Sequence, residues 1–173
     1  LIVGVFMVPT TILSIQHQNL IGCIFFIVAA ITDALDGYIA RKYGMGTQLG
    51  AFLDPVADKL MVSAALIVLL NFGRVDMLVA LVIIGREITV SALREWMARV
   101  GESGKVKVNW FGKIKAIAQM VSIPMLLYFD DIAGVDIYFI GTVLIYIATV
   151  LTLYSMFVYL KAAAPFFGNE PKN

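Results

Sequence analysis

Histidine and cysteine are almost missing from this chain: His17 and Cys23 are the only ones in 173 residues. A single cysteine excludes an intrachain disulfide, and with one histidine it excludes a zinc centre built on Cys and His. Cys23 lies in an apolar run and reads as a small hydrophobe. His17 lies in a short polar stretch and reads as a solvated side chain. Charge is scarce as well. Asp, Glu, Lys and Arg make up 14% of the residues, against about 25% in ordinary soluble domains. They nearly cancel, to a net +1, which excludes a bulk basic surface for nucleic acid. No internal repeat, low-complexity tract or linker interrupts the chain, so residues 1–173 read as one domain. No charged n-region or small-residue cleavage site marks a signal peptide. The chain opens on LIVGVFMVP without Met, and we expect a natural N-terminus to precede it.

What the chain has in abundance is apolar side chain: 61% of residues are hydrophobic, and the mean hydropathy is +0.91. That composition belongs to an all-α integral membrane protein, long enough for roughly five to seven spans of about 20 residues. Six apolar segments are expected to be transmembrane helices. They cover about Leu1–Ile15 (short, as a truncated span would be), Asn19–Ile39, Leu49–Leu70, Asp76–Met97, Phe111–Tyr128 and Ile137–Leu160. Connections are short, apart from Ala98–Trp110. If the N-terminus is cytoplasmic, the cytoplasmic side holds Arg41, Lys42, Arg99, Lys105, Lys107, Lys161 and Lys172, with Lys113 and Lys115 just inside the fifth span. The other side holds only Arg74. This bias sets the orientation. Lys105 and Lys107 are placed to meet anionic lipid head groups. Trp96, Trp110 and Tyr128 read as interfacial anchors.

Against that background four aspartates stand out. Asp33, Asp36, Asp54 and Asp58 lie in ITDALDGYIARKYGMGTQLGAFLDPVADK, between long apolar stretches. A carboxylate in the membrane costs roughly 2.5–3.5 kcal/mol on insertion scales, so four together call for a compensating cation. On a helix, Asp33, Asp36, Gly37 and Ala40 share one face, and so do Gly50, Asp54 and Asp58. The helices that carry them are consecutive and antiparallel, so the two stripes can face each other. Gly37, Ala40 and Gly50 remove bulk there. Oxygen ligands suit Mg²⁺ or Mn²⁺, and four carboxylates fit two ions of the kind used in phosphoryl chemistry. Arg41 can pair with a phosphate oxygen. Pro55, next to Asp54, is expected either to start or to kink its helix. The charge bias puts the whole cluster at the cytoplasmic ends of spans two and three.

The run D-x2-D-G-x2-A-R-x8-G-x3-D-x3-D, eight fixed positions from Asp33 to Asp58, resembles the signature of the CDP-alcohol phosphotransferase family of membrane enzymes. GREITVSALREWMARVG and NWFGKIKAIAQM resemble one branch of it, the bacterial phosphatidylglycerophosphate synthases. The resemblance implies six transmembrane helices, a homodimer and a multi-pass protein of the bacterial inner membrane whose active site faces the cytoplasm. It also implies two Mg²⁺ or Mn²⁺ ions, with Asp33, Asp36 and Asp54 as ligands. Asp58 would be a ligand, a general base, or both. Asp33, Gly37, Ala40, Arg41 and Gly50 would line the CDP site. The reaction implied is transfer of a phosphatidyl group from CDP-diacylglycerol to an alcohol, with release of CMP.

Arg86 and Arg94, eight residues apart on the fourth span, share a face. An intramembrane arginine marks a functional site by default; the plainer reading is local pairing with Glu87, Glu95 or a lipid phosphate. With Lys113 they would make a cradle for an acceptor that carries its own phosphate, and the resemblance implies sn-glycerol 3-phosphate. Lys59, beside Asp58, reads as a snorkelling side chain. Two alternatives stay open: the same fold with another acceptor, such as inositol phosphate or serine, and a divalent-cation transporter with its ion site in the aspartates.

Overall fold

The structure, a computed structural model, describes residues 14–43, 48–99 and 110–166. They form five helices: α1 (Ile15–Tyr43), α2 (Gln48–Asn71), α3 (Met77–Arg99), α4 (Trp110–Tyr128) and α5 (Ile137–Ala163), the last followed by a 3-10 turn at Ala164–Phe166. No strand is found among the described residues; Ile132 and Val135 make one isolated bridge across a tight turn. Each helix contains one of the expected apolar segments from the second onward, overrunning most of them by a few residues. The first expected segment falls almost wholly on residues 1–13, outside the described residues. Pro55 does not start a helix: α2 begins at Gln48 and runs through it. At the eighth position of α2 the proline supplies no N–H for the carbonyl four residues before it, so the ladder lacks one bond there.

Two stretches, Ile15–Asp36 and Ile137–Phe166, are long and apolar enough to cross a membrane. Of the other helices, α3 carries five charged side chains, Arg86, Glu87, Arg94, Glu95 and Arg99, and the apolar stretch of α4, Ile114–Tyr128, is shorter. The outer surface agrees with a lipid environment. Leu60, Leu81, Ile88, Val150 and Phe157 are each more than 60% exposed, and isolated large hydrophobics at that density on every long helix have no use in water.

The core draws on all five helices: Phe26 from α1, Val62, Ala65, Leu66 and Leu69 from α2, Val79 and Ile83 from α3, Ile123, Leu126 and Leu127 from α4, and Ile145 from α5. The antiparallel pair α4–α5 has the most extensive contact, while α1 packs on α4 and α3 on α5. Gly141 permits the closest approach of α4 and α5, since a Cβ there would meet Met125 Cβ at 3.0 Å and Leu126 Cγ at 3.2 Å.

At the end of the bundle that holds residues 72–76 and 129–136, α2 stops in a Schellman turn. Gly73 adopts φ +65°, Arg74 N donates to Leu69 O at 2.9 Å and Gly73 N to Leu70 O at 3.0 Å. The turn throws the Arg74 side chain inward. Its Nη1 donates to the α4 carbonyls Leu127 O (2.9 Å) and Leu126 O (3.3 Å), and its Nη2 to Asn19 Oδ1 of α1 (2.8 Å). The guanidinium sits over the Phe129 ring at 4.3 Å and near Phe72 at 5.2 Å. One buried cation thus satisfies the last carbonyls of α4, which a helix cannot satisfy itself, and ties three elements together. On the same end Asp136 caps α5, accepting from Phe139 N at 2.7 Å.

Candidate active site at the opposite end of the bundle

The other end of the bundle gathers charge. Three helices there each turn a polar pair, one turn or two apart, toward the same point, Arg86 and Arg94 from α3, Lys115 and Gln119 from α4, Ser155 and Tyr159 from α5, and α2 adds Asp58. These side chains, Ser155 apart, line a cavity of about 180 Å³ together with Lys59, Glu87 and Met120.

Arg86 is buried at 7% exposure. Its Nη1 donates to Glu87 Oε1 at 3.2 Å and its Nη2 to Ser155 Oγ at 3.0 Å. Its Nε is buried and has no partner. Lys115, also buried, donates to Glu87 Oε1. Arg94 lies nearer the surface, donates to the Tyr159 hydroxyl at 2.9 Å and stacks on that ring at 5.2 Å. The same ring lies 5.9 Å from the Arg86 guanidinium. Tyr159 therefore separates the two arginines and holds both, through its face and its hydroxyl. Among the described residues four cations and two carboxylates line the cavity, a formal excess of two positive charges.

A second cavity, about 480 Å³ and mostly apolar, is lined by Phe26, Ile27, Ala30, Ile31, Asp33 and Ala34 of α1, with Asp58 and Met120. Asp58 and Met120 belong to both cavities, so Asp58 stands at their junction. Its Oδ1 is buried without a hydrogen-bond donor. A buried carboxylate oxygen left alone costs about 1–3 kcal/mol or more, so the atom is suited to receive a cation or a hydroxyl proton.

The eleven residues expected from the sequence fare as follows. Asp33 and Asp58 come together on one cavity, from antiparallel helices, as the spacing requires. Asp36 is exposed, one turn further along α1. Asp54 and Gly50 lie on α2 and Gly37, Ala40 and Arg41 on α1, but their side chains, like that of Lys113 on α4, are outside the described residues. Among the described residues no three metal-type ligands converge. Arg86 and Arg94 do meet in one cavity. Arg86 pairs locally with Glu87 and lines the pocket as well, so the two readings of that residue coexist. Lys59 forms part of the cavity wall rather than only snorkelling outward.

Ser155 and Tyr159 were not singled out from the sequence; Glu87 was expected only as a partner of Arg86, and Lys115 only as a cation just inside its span. A usable signal existed for Lys115: it stands four residues before Gln119, a polar pair on one face of an otherwise apolar helix. Ser155 and Tyr159 repeat that spacing in α5. Neither pair declares which helix it faces.

A family model for CDP-alcohol phosphatidyltransferase matches residues 1–154. Curated relatives named CDP-diacylglycerol--glycerol-3-phosphate 3-phosphatidyltransferase align over most of the chain. The protein of Haemophilus influenzae is 43% identical over 164 residues, covering 91% of this chain and 85% of its own. That of Salmonella choleraesuis is 42% identical over 160 residues (91% and 86%), and that of Pectobacterium atrosepticum 45% identical over 148 residues (83% and 79%).

Proposed function

The chain belongs to the CDP-alcohol phosphatidyltransferase family, and from that premise we propose that it is the enzyme that joins CDP-diacylglycerol to sn-glycerol 3-phosphate, giving phosphatidylglycerophosphate and CMP. The names of its relatives supply the two substrates. The observation that carries the reading is the position of Asp58, with one oxygen unpaired, between an apolar cavity and a cation-lined one. A lipid donor and a phosphorylated acceptor need opposite surroundings, and they must meet at one carboxylate.

In this reading the acyl chains of CDP-diacylglycerol lie along α1, against Phe26, Ile27 and Ile31. Gly37, Ala40, Arg41 and Gly50 form the CDP site beside Asp33. Asp33, Asp36, Asp54 and Asp58 would hold a pair of divalent ions, Mg²⁺ or Mn²⁺, which would supply positive charge against the diphosphate when bound. Arg86, Arg94, Lys113 and Lys115 bind the phosphate of the acceptor, whose free hydroxyl then points toward Asp58. That hydroxyl oxygen attacks the phosphorus bearing the diacylglycerol. Its proton passes to Asp58, the bond from that phosphorus to the bridging oxygen breaks, and CMP leaves with the oxygen. The carboxylate is well suited as acceptor because no protein donor occupies its buried oxygen.

The same reading places six helices across the inner membrane, the aspartates at the cytoplasmic face and a homodimer as the working unit. The test is turnover by purified protein in detergent–lipid micelles, with radiolabelled glycerol 3-phosphate. Chelating divalent ions is expected to stop CMP release and re-adding Mg²⁺ to restore it. Asp58→Asn is expected to lower kcat by at least about a thousandfold, the scale of losing a base and a charged ligand together. No incorporation of glycerol 3-phosphate by the wild type would sink the acceptor assignment.

A further inference from the structure

Glu87 puts a negative charge into a pocket read as a phosphate site, and its contacts give it a task. Its Oε1 accepts from Lys115 Nζ and from Arg86 Nη1. The two cations come from different helices, α4 and α3, and both are buried, at 5% and 7% exposure. One carboxylate oxygen therefore sets the spacing of two long side chains that the backbones leave free to diverge. Ser155 takes Arg86 Nη2 at 3.0 Å. With both Nη groups engaged by protein, the donor of Arg86 that remains buried and unpaired is Nε.

We propose that Glu87 is a positioning residue of the acceptor pocket. It aligns Arg86 and Lys115 so that Arg86 Nε and Lys115 Nζ converge on a single phosphate. Among the described lining residues it also trims the formal excess from three positive charges to two, leaving a net positive pocket for a phosphomonoester carrying about −1.5 to −2 at neutral pH. An uncharged alcohol or a singly charged phosphodiester meets a pocket of the wrong charge. This deepens the acceptor reading above and rests on it. A glutamate that served only to hold α3 against α4 would support the fold without distinguishing acceptor from donor.

The deciding experiment compares wild type, Glu87→Gln and Glu87→Asp. Glutamine keeps the shape but removes the charge; aspartate keeps the charge on a shorter stem. In Glu87→Gln the KM for glycerol 3-phosphate is expected to rise about tenfold, the scale of one lost charge-assisted hydrogen bond, with the KM for CDP-diacylglycerol unmoved. Glu87→Asp is expected to recover part of the loss. Melting in detergent with added inorganic phosphate gives a readout free of turnover: phosphate should raise the melting temperature of wild type and raise that of Glu87→Gln much less. If wild type used no glycerol 3-phosphate, the acceptor reading would fail, and the phosphate shift alone would still decide the role of Glu87. An unchanged or lower KM for glycerol 3-phosphate with an intact phosphate shift overturns the proposal. So does a parallel rise in both KM values with lower ligand-free melting in both variants.

Discussion

Two buried arginines, equally hidden at 7% exposure, occupy opposite ends of this bundle and do different things. Arg74 gives its two Nη groups to Leu126 O, Leu127 O and Asn19 Oδ1, and its faces to Phe129 and Phe72. Arg86 gives its Nη groups to Glu87 and Ser155, keeps a buried Nε without a partner, and borders a cavity with Arg94, Lys115 and Asp58. Burial alone does not mark a functional cation. A guanidinium bound to helix-end carbonyls between aromatic rings is a rivet. One with a spare buried donor beside a cavity is suited to an anion, because a buried donor left unmet is costly and a ligand or a water there would meet it.

The comparison can be broken most sharply at Arg86. Arg86→Met is expected to lower kcat/KM for glycerol 3-phosphate about a hundredfold, in the range seen when one member of a buried, hydrogen-bonded charge pair is truncated. Melting should change far less than activity, since methionine fills most of the volume. A variant that lost stability but kept its acceptor KM would make Arg86 another Arg74. The converse variant, Arg74→Met, is expected to cost about 3 kcal/mol of stability by stranding two carbonyls and Asn19. In a melting series it should be the less stable of the two, yet at low temperature its KM values should match wild type. Arg99 supplies the control. It pairs with Glu95 at 2.6 Å on the surface, with both side chains about two-thirds exposed. Arg99→Ala should change stability by no more than about 0.5 kcal/mol and leave KM alone. A larger effect on either quantity would mean that exposure is a poor guide to what these arginines do.

Much of this was legible in the chain. Long apolar runs broken by short polar ones placed the helices, and the helices end within a few residues of the runs, because hydrophobic length and turn chemistry are local properties. Asp33 and Asp58 were expected on facing helices from spacing alone, and they line one cavity. Of the two roles expected for Pro55, starting a helix or kinking it, the first is excluded. A proline reads as a boundary unless the turn before it is helical, and here Gln48 opens α2 seven residues earlier. The choice between Lys113 and Lys115 lay beyond the sequence as well. Two residues apart on a helix, they point to nearly opposite sides, and only the tertiary structure shows that Lys115 reaches Glu87 across to α3. Tyr159 stayed silent for the same reason: its partners, Arg86 and Arg94, are 65 or more positions away.

The sequence by itself determined that this chain is a helical membrane protein and that Asp33 and Asp58 lie on consecutive helices. Each of those follows from composition and from a 3.6-residue period. The tertiary structure decided which charges share a cavity, that Asp58 joins an apolar space to a cationic one, and which of two buried arginines is left with a donor to offer. Those depend on how helices rotate about their axes when they pack, and that rotation is set by contacts between residues far apart in the chain.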